Sequence, residues 1–258
     1  MIQKGIPFSR AQYENEGYCG PVQGLTNEEA DRYYNQFFKV LGQSKFSPGP
    51  TEINMSAWHH KYRWAYDLAT HPSILAPMTE ILGPDVVLWA MHFWYKEPHN
   101  KKFIPWHQDI NYWPMEPAIN ATAWMSLGFS LKENGCLRVI PGSHRELVTH
   151  EAMSNQASEF NNAIAKEKVN EAEAIDLEMS PGQISFFNEA TFHGSEMNHS
   201  EIARVAFSVR YTTPEVKFKI NEWGGNPERI KTFLVNGIDH FHLNDSIKGT
   251  PPEKDFRC

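Results

Sequence analysis

The sequence predicts an antiparallel β-sandwich or barrel with helices packed on one side. Three observations carry that reading: a helical period in the first third, a switch to a period of two after about residue 85, and short apolar runs separated by turn residues. The 258 residues fit one large domain, or one domain with a helical annex, and 41% apolar content with 13% aromatics supplies a core.

Taken in order, "LTNEEADRYYNQFFKVLG" opens with Thr26 and Glu29 in capping-box spacing. Ala30, Tyr33, Phe37 and Leu41 then share one face, and Gly42 is placed to end the helix. A second helix is expected from about Ser56 to Thr70, and a third from about Pro72 to Leu82, stopped by "GP". "DVVLWAMHFWY" is β-branched and aromatic with no breaker inside it. "INATAWMSLGFSL", "GCLRVIP", "AIDLEM", "GQISFFN" and "ARVAFSVRYT" follow as short strands, and "VKFKI" as a shorter one. Residues 151–174, rich in Ala, Glu, Asn and Lys, interrupt the strands and read as a solvated helix or mobile excursion over the barrel mouth, either a lid or a tolerated surface loop.

The net charge of −7 argues against nucleic acid or an anionic membrane as partner. No apolar run reaches the roughly 18–20 residues of a spanning helix, and "MIQKGIPFSR" lacks a signal-peptide core. Cys19, Cys136 and Cys258, odd in number and widely spaced, suit free thiols in a reducing cytoplasm. The expected partner is a small molecule; the oligomeric state is open.

The segment "IPWHQDINYWP" raises the question of chemistry. In extended chain, His107 and Asp109 point to the same side and can occupy adjacent positions on one ion. The pattern alone is weak, because His144/Glu146 and His199/Glu201 repeat it among twelve histidines. A further imidazole from a distant strand would complete a two-histidine, one-carboxylate facial triad with open positions opposite. "FFNEATFHGSEMNHSEIARVAFSVRYT" offers His193 after a strand and Arg204 on the next. There Arg204, Ala206, Ser208 and Arg210 face one way, and Val205, Phe207, Val209 and Tyr211 the other. An arginine beside small residues on an inner face suits a carboxylate receptor. A surface stripe with Arg204 paired to a nearby Glu fits equally well at this level.

Together "PWHQDINYWP", "ENGCLRVIPGSH" and "FHGSEMNHSEIARVAFSVRY" resemble the phytanoyl-CoA dioxygenase family of iron(II)- and 2-oxoglutarate-dependent oxygenases, over roughly residues 85–213. The resemblance implies a double-stranded β-helix (jelly-roll, cupin-like) core. It implies His107, Asp109 and His193 as ligands of Fe(2+), and Arg204 and Ser195 as contacts of 2-oxoglutarate. It also implies O2 as cosubstrate, release of succinate and CO2, and hydroxylation of an aliphatic C–H. Relatives that halogenate carry a small residue where Asp109 stands, so Asp109 points away from halogen transfer. The expected layout is one domain over 1–258: helices to about 84, the β-helix core over about 85–213, and 151–174 as a lid insertion. Desaturation or cyclisation at the same iron, a non-catalytic cupin-like metal-binding module, and a metal-dependent hydrolase are the alternatives.

His92, Trp94 and Lys96 alternate on one strand face; the first two are candidate pocket residues, and Lys96 a candidate contact of 2-oxoglutarate or an anionic substrate. Trp106, Tyr112 and Trp113 flank the ligands and suit an aliphatic body or a cationic nitrogen. Arg210 is a candidate anchor for a second acidic group. Ser143 and His144 in "IPGSHR" read as turn residues, His240 and His242 lack zinc partners of familiar spacing, and His59 and His60 read as diverging helix residues.

Overall fold

The computed structural model describes residues 7–43, 55–153, 155, 157–223, 231–244 and 251–252. The N-terminal part holds α1 (Arg10–Glu16), β1 (Tyr18–Gln23), α2 (Asn27–Gln43), α3 (Arg63–Ala69) and α4 (Pro72–Leu82). Then come β2 (Val86–Lys96), β3 (Ile104–His107), β4 (Met115–Glu116), β5 (Ala121–Ser126) and β6 (Leu137–Val139). These are followed by β7 (His150–Ala152), β8 (Asn162–Ile164), β9 (Ile175–Leu177), β10 (Gln183–Asn188) and β11 (His193–Ser195). The last strands are β12 (Arg204–Thr212), β13 (Lys217–Phe218) and β14 (Phe233–Asn236).

A six-stranded sheet runs in the order β1-β10-β5-β12-β2-β14, and a four-stranded sheet in the order β3-β11-β6-β9. The pairings are antiparallel. One apolar core lies between the larger sheet and the helices, where Phe37, Trp58, Leu68, Ile74, Phe93 and Phe207 pack together. A second joins the two sheets through Trp124, Leu137, Val139, Leu177, Phe187 and Ala206. This is a double-stranded β-helix with helices on one side, as the strand pattern and the resemblance imply.

The helical cap of α2 forms as expected: the Thr26 amide donates to Glu29 Oε2 at 2.9 Å, and the Glu29 amide to Thr26 Oγ1 at 3.2 Å. Gly42 does not end this helix, which runs through Gln43; a Cβ there would meet open space, so packing does not demand a break. The first third is not all helix either. β1 pairs with β10 although "YCGPVQ" contains Gly and Pro. It lies at the sheet edge, where Pro is tolerated, and a Cβ at Gly20 would come within 2.8 Å of the Ile184 carbonyl oxygen.

The helix expected over 56–70 is broken. Ser56 bridges to His92 on β2. Ala57 takes φ 61°, a short 3-10 turn covers Trp58–His60, and the α-helix begins only at Arg63. Burial of Trp58 against Phe37 and Phe93 overrides local propensity. The described residues of 151–174 form no α-helix. β7 and β8 pair as a hairpin, followed by 3-10 turns at 166–168 and 171–173. Ile164 anchors the hairpin in a small apolar cluster with Ile140, Val148 and Phe192.

Candidate active site

β3 and β11 pair with His193 opposite His107, which brings the two imidazole centroids to 4.0 Å. Asp109 opens the 3-10 turn immediately after β3. The ligand atoms of His107, Asp109 and His193 lie within 4.8 Å of one another, and all three residues are buried. Each imidazole has its Nδ1 at 2.9 Å from a backbone carbonyl, Pro105 for His107 and Thr191 for His193. A carbonyl only accepts, so the proton is assigned to Nδ1 and the Nε2 lone pairs are left facing Asp109, at 3.5 and 3.8 Å from Oδ1. Asp109 Oδ2 has no hydrogen-bond partner. Two imidazoles with their Nε2 atoms turned toward a carboxylate that keeps an oxygen without a hydrogen bond fit a divalent transition metal. The two other His-x-acid pairs are elsewhere engaged: His144 meets the Glu14 carbonyl, and Glu201 pairs with His99.

Burial opposes ionisation of Asp109, but the Arg210 guanidinium and the two imidazoles outweigh it and hold the carboxyl well below the usual range. His193 is pushed down to about 3, chiefly by burial and also by the neighbouring His107. Gln108, the unassigned residue between the two ligands, is fully buried and locks the turn. Its amide donates to the Glu146 and Ala190 carbonyls at 2.7 Å, and its Oε1 accepts from the Val148 amide at 3.0 Å.

On β12, Arg204 is fully buried and lies over the Trp124 ring at 5.4 Å. Its guanidinium donates to the Trp94 carbonyl at 3.2 Å and to Ser195 Oγ at 3.5 Å, while Nε has no partner. Among the described residues no carboxylate pairs with it, which removes the surface-stripe alternative. Burial lowers its pKa to about 10. Lys96 sits opposite Arg204 on β2, donating to Ser195 Oγ at 2.5 Å and to the Ser195 and Glu196 carbonyls. Those contacts tether the chain after β11, and burial with the nearby Arg204 lowers the Lys96 pKa to about 6. A narrow cavity is shared by His107, His193, Ser195, Trp124 and Arg210.

A cleft of about 620 Å³ opens above Asp109 and Arg210. His92, Trp94, Tyr112, Trp113 and Arg210 line it. His92 Nδ1 is 2.7 Å from Ser56 Oγ, and burial, then Arg210, brings its pKa to about 3. Tyr112 donates to the Asn162 carbonyl at 2.7 Å, and Phe160 stands edge-on to His107 at 4.7 Å. Trp106 is a correction: it faces away from the cleft, under Arg138 at 5.1 Å, because neighbours on a strand point to opposite faces and His107 points inward.

His59 and His60 are also corrected. Their ring centroids lie 4.1 Å apart with the planes tilted by 55°, and both line the cleft. His59 is fully buried with neither ring nitrogen hydrogen-bonded. No pattern in "SAWHHK" announces this, because the break at Ala57 sets it. Phe160, Asn161 and Asn162 were equally unmarked within their polar segment. Ser143 and His144 hold a turn, Ser143 Oγ accepting from the Phe192 amide at 2.8 Å. His242 is exposed beside Asp239, and among the described residues only the first cluster offers three metal-ligating groups.

A jelly-roll barrel enclosing a buried two-histidine, one-carboxylate cluster defines the class of non-haem iron oxygenases. Within that class the chain belongs to the phytanoyl-CoA dioxygenase (PhyH) family, whose profile matches residues 13–206. It is similar to a probable phytanoyl-CoA dioxygenase of Caenorhabditis elegans, at 29% identity over 88% of this chain and 81% of the relative. Among solved structures it is similar to the apo form of ThoJ, a non-haem monooxygenase. The TM-score there is 0.78 and the identity 25%, over 96% of this chain and 89% of the other. CytC3 with Fe(II) and alpha-ketoglutarate shares the fold at TM-score 0.68 and 22% identity, covering 92% of each chain.

Proposed function

We propose that the protein is an iron(II)- and 2-oxoglutarate-dependent dioxygenase that hydroxylates an aliphatic C–H of a small polar metabolite or natural-product intermediate. Substrate, O2 and 2-oxoglutarate give hydroxylated substrate, succinate and CO2. The observation that carries this reading is the buried triad combined with the unpaired Arg204 on the same barrel interior. His107, Asp109 and His193 would hold the metal. Iron bound there supplies the redox chemistry that couples O2 reduction to decarboxylation of 2-oxoglutarate.

The remaining work belongs to the chain's own side chains. Arg204 presents a guanidinium fork with no internal anion, suited to the distal carboxylate of 2-oxoglutarate, and Ser195 adds a hydroxyl. The Pro105 and Thr191 carbonyls fix both imidazole orientations before any metal arrives. Phe160 and Tyr112 cover the triad from the 151–174 side and exclude water from the reacting C–H; that segment serves as the lid of a single domain. A non-catalytic metal module has no use for a buried, unpaired arginine, and Asp109 supports hydroxylation over halogen transfer.

The net charge of −7 supports a small-molecule partner over nucleic acid. The buried free thiols of Cys19 and Cys136 support a reducing compartment, read as the cytoplasm. Among the described residues no helix is long and apolar enough to cross a membrane. Anaerobic addition of iron(II) and 2-oxoglutarate should produce a weak visible charge-transfer band. A folded protein with no band, and no succinate release with any candidate substrate, overturns the proposal.

A further inference from the structure

We propose that the cleft takes a substrate carrying a carboxylate on a largely apolar or aromatic body, with Arg210 as the carboxylate's anchor. The inference rests on the iron and 2-oxoglutarate reading above. Arg210 projects from the inner face of β12, and its guanidinium is held over the Trp113 ring at 4.6 Å, so its orientation is set in advance. Its Nε has no hydrogen bond. Among the described residues the only carboxylate in ion-pair range is Asp109, with Oδ2 at 3.5 Å.

That partner is the carboxylate assigned to the metal. With metal and cosubstrate in place, the two charges of the ion and that of Arg204 balance Asp109 and the two carboxylates of 2-oxoglutarate. Arg210 is then the uncompensated charge facing the cleft. Among the described residues no other cleft residue offsets it. Glu159 pairs with Lys102 at 3.7 Å, and His59, His60 and His92 are kept neutral, with burial the main cause in each case. A guanidinium only 12% exposed, whose one carboxylate partner among the described residues is the residue assigned to the metal, calls for an anion from the ligand.

The remaining walls say what the anion is attached to. Trp94, Tyr112, Trp113 and Phe160 give the cleft aromatic surfaces, and its volume of about 620 Å³ is that of a small-molecule site. His59 provides an independent sign of a ligand. A fully buried imidazole with both nitrogens unbonded is costly unless something bonds it, and it lines this same cleft. A hydroxyl or carbonyl on the substrate body would satisfy it.

The test uses protein loaded with zinc(II) and 2-oxoglutarate, which binds without turning over. Tryptophan fluorescence is followed while 3-phenylpropanoate, cyclohexylacetate and abietate are each titrated against their neutral carboxamides. At least one acid should bind about tenfold or more tighter than its amide, the scale of one charge-assisted hydrogen-bonded pair. Arg210→Gln should shrink that ratio to about twofold or less, with the loss falling on the acid and not on 2-oxoglutarate; Arg210→Lys, which keeps the charge, should restore part of it. His59→Phe should abolish any extra affinity of a hydroxylated acid over its parent. Equal binding of acids and amides, equal weakening of both by Arg210→Gln, a loss confined to 2-oxoglutarate, or no acid bound at millimolar concentration each overturns the proposal. Failure of the underlying iron reading is seen separately, as absence of 2-oxoglutarate binding to the metal-loaded protein before any acid is added.

Discussion

The two faces of β12 are made by alternate residues of one strand and do opposite things. Val205, Phe207, Val209 and Tyr211 enter the apolar core beneath the helices, where the Tyr211 hydroxyl also donates to the Ala69 carbonyl. Arg204, Ala206, Ser208 and Arg210 enter the barrel, where the Nε atoms of Arg204 and Arg210 stay without hydrogen bonds. A period of two thus lets a single strand hold the fold on one side and offer unspent polar groups on the other. Stability should respond to the outer face and ligand binding to the inner face.

The largest effect should come from the inner side. Asp109→Ala should abolish hydroxylation, exceeding the roughly 100-fold loss typical of removing an outer-shell partner, while a melting curve shows the fold retained. Next is the outer side. Phe207→Ala, at a fully buried position beside Phe93, should cost about 3–5 kcal/mol and lower the Tm by roughly 10 °C. Metal and 2-oxoglutarate affinity of the folded fraction should be unchanged; a loss of both would blur the division between the faces.

A smaller effect is expected at Glu189, whose buried carboxyl has its pKa pushed up to about 9 by burial and by the charge of Asp109. Raised above its unfolded value, this group stabilises the fold fully below about pH 4.5, and that contribution is lost as pH rises toward 9. In metal-free protein, Glu189→Gln should therefore raise the Tm at pH 8 relative to wild type, and by less at pH 5. The smallest change concerns the cover. Tyr112→Phe removes the bond to the Asn162 carbonyl and should speed amide exchange in β8 about 2–10-fold.

Strand patterning and His107, Asp109, His193 and Arg204 were legible in the sequence because each depends on local alternation or on a spaced motif. β2, β5, β10 and β12 fall where the period-two runs place them. What escaped depends on contacts between distant segments. β1 exists because β10 accepts it, and its Gly and Pro read as breakers until the edge position is known. His59 and Phe160 reach the cleft through a backbone break and a hairpin that helix-favouring residues do not announce. Trp106 shows the converse: its place beside His107 in sequence is what points it away.

The role proposed for Arg204 is to receive 2-oxoglutarate inside the barrel, where among the described residues no carboxylate pairs with it. It is tested most directly by titrating 2-oxoglutarate into anaerobic iron(II)-loaded wild type, Arg204→Ala and Phe207→Leu, and reading the charge-transfer band. The expected result is about 10–100-fold weaker binding for Arg204→Ala, the worth of a charge-assisted bidentate contact, with Phe207→Leu close to wild type. Equal affinity in wild type and Arg204→Ala would contradict it.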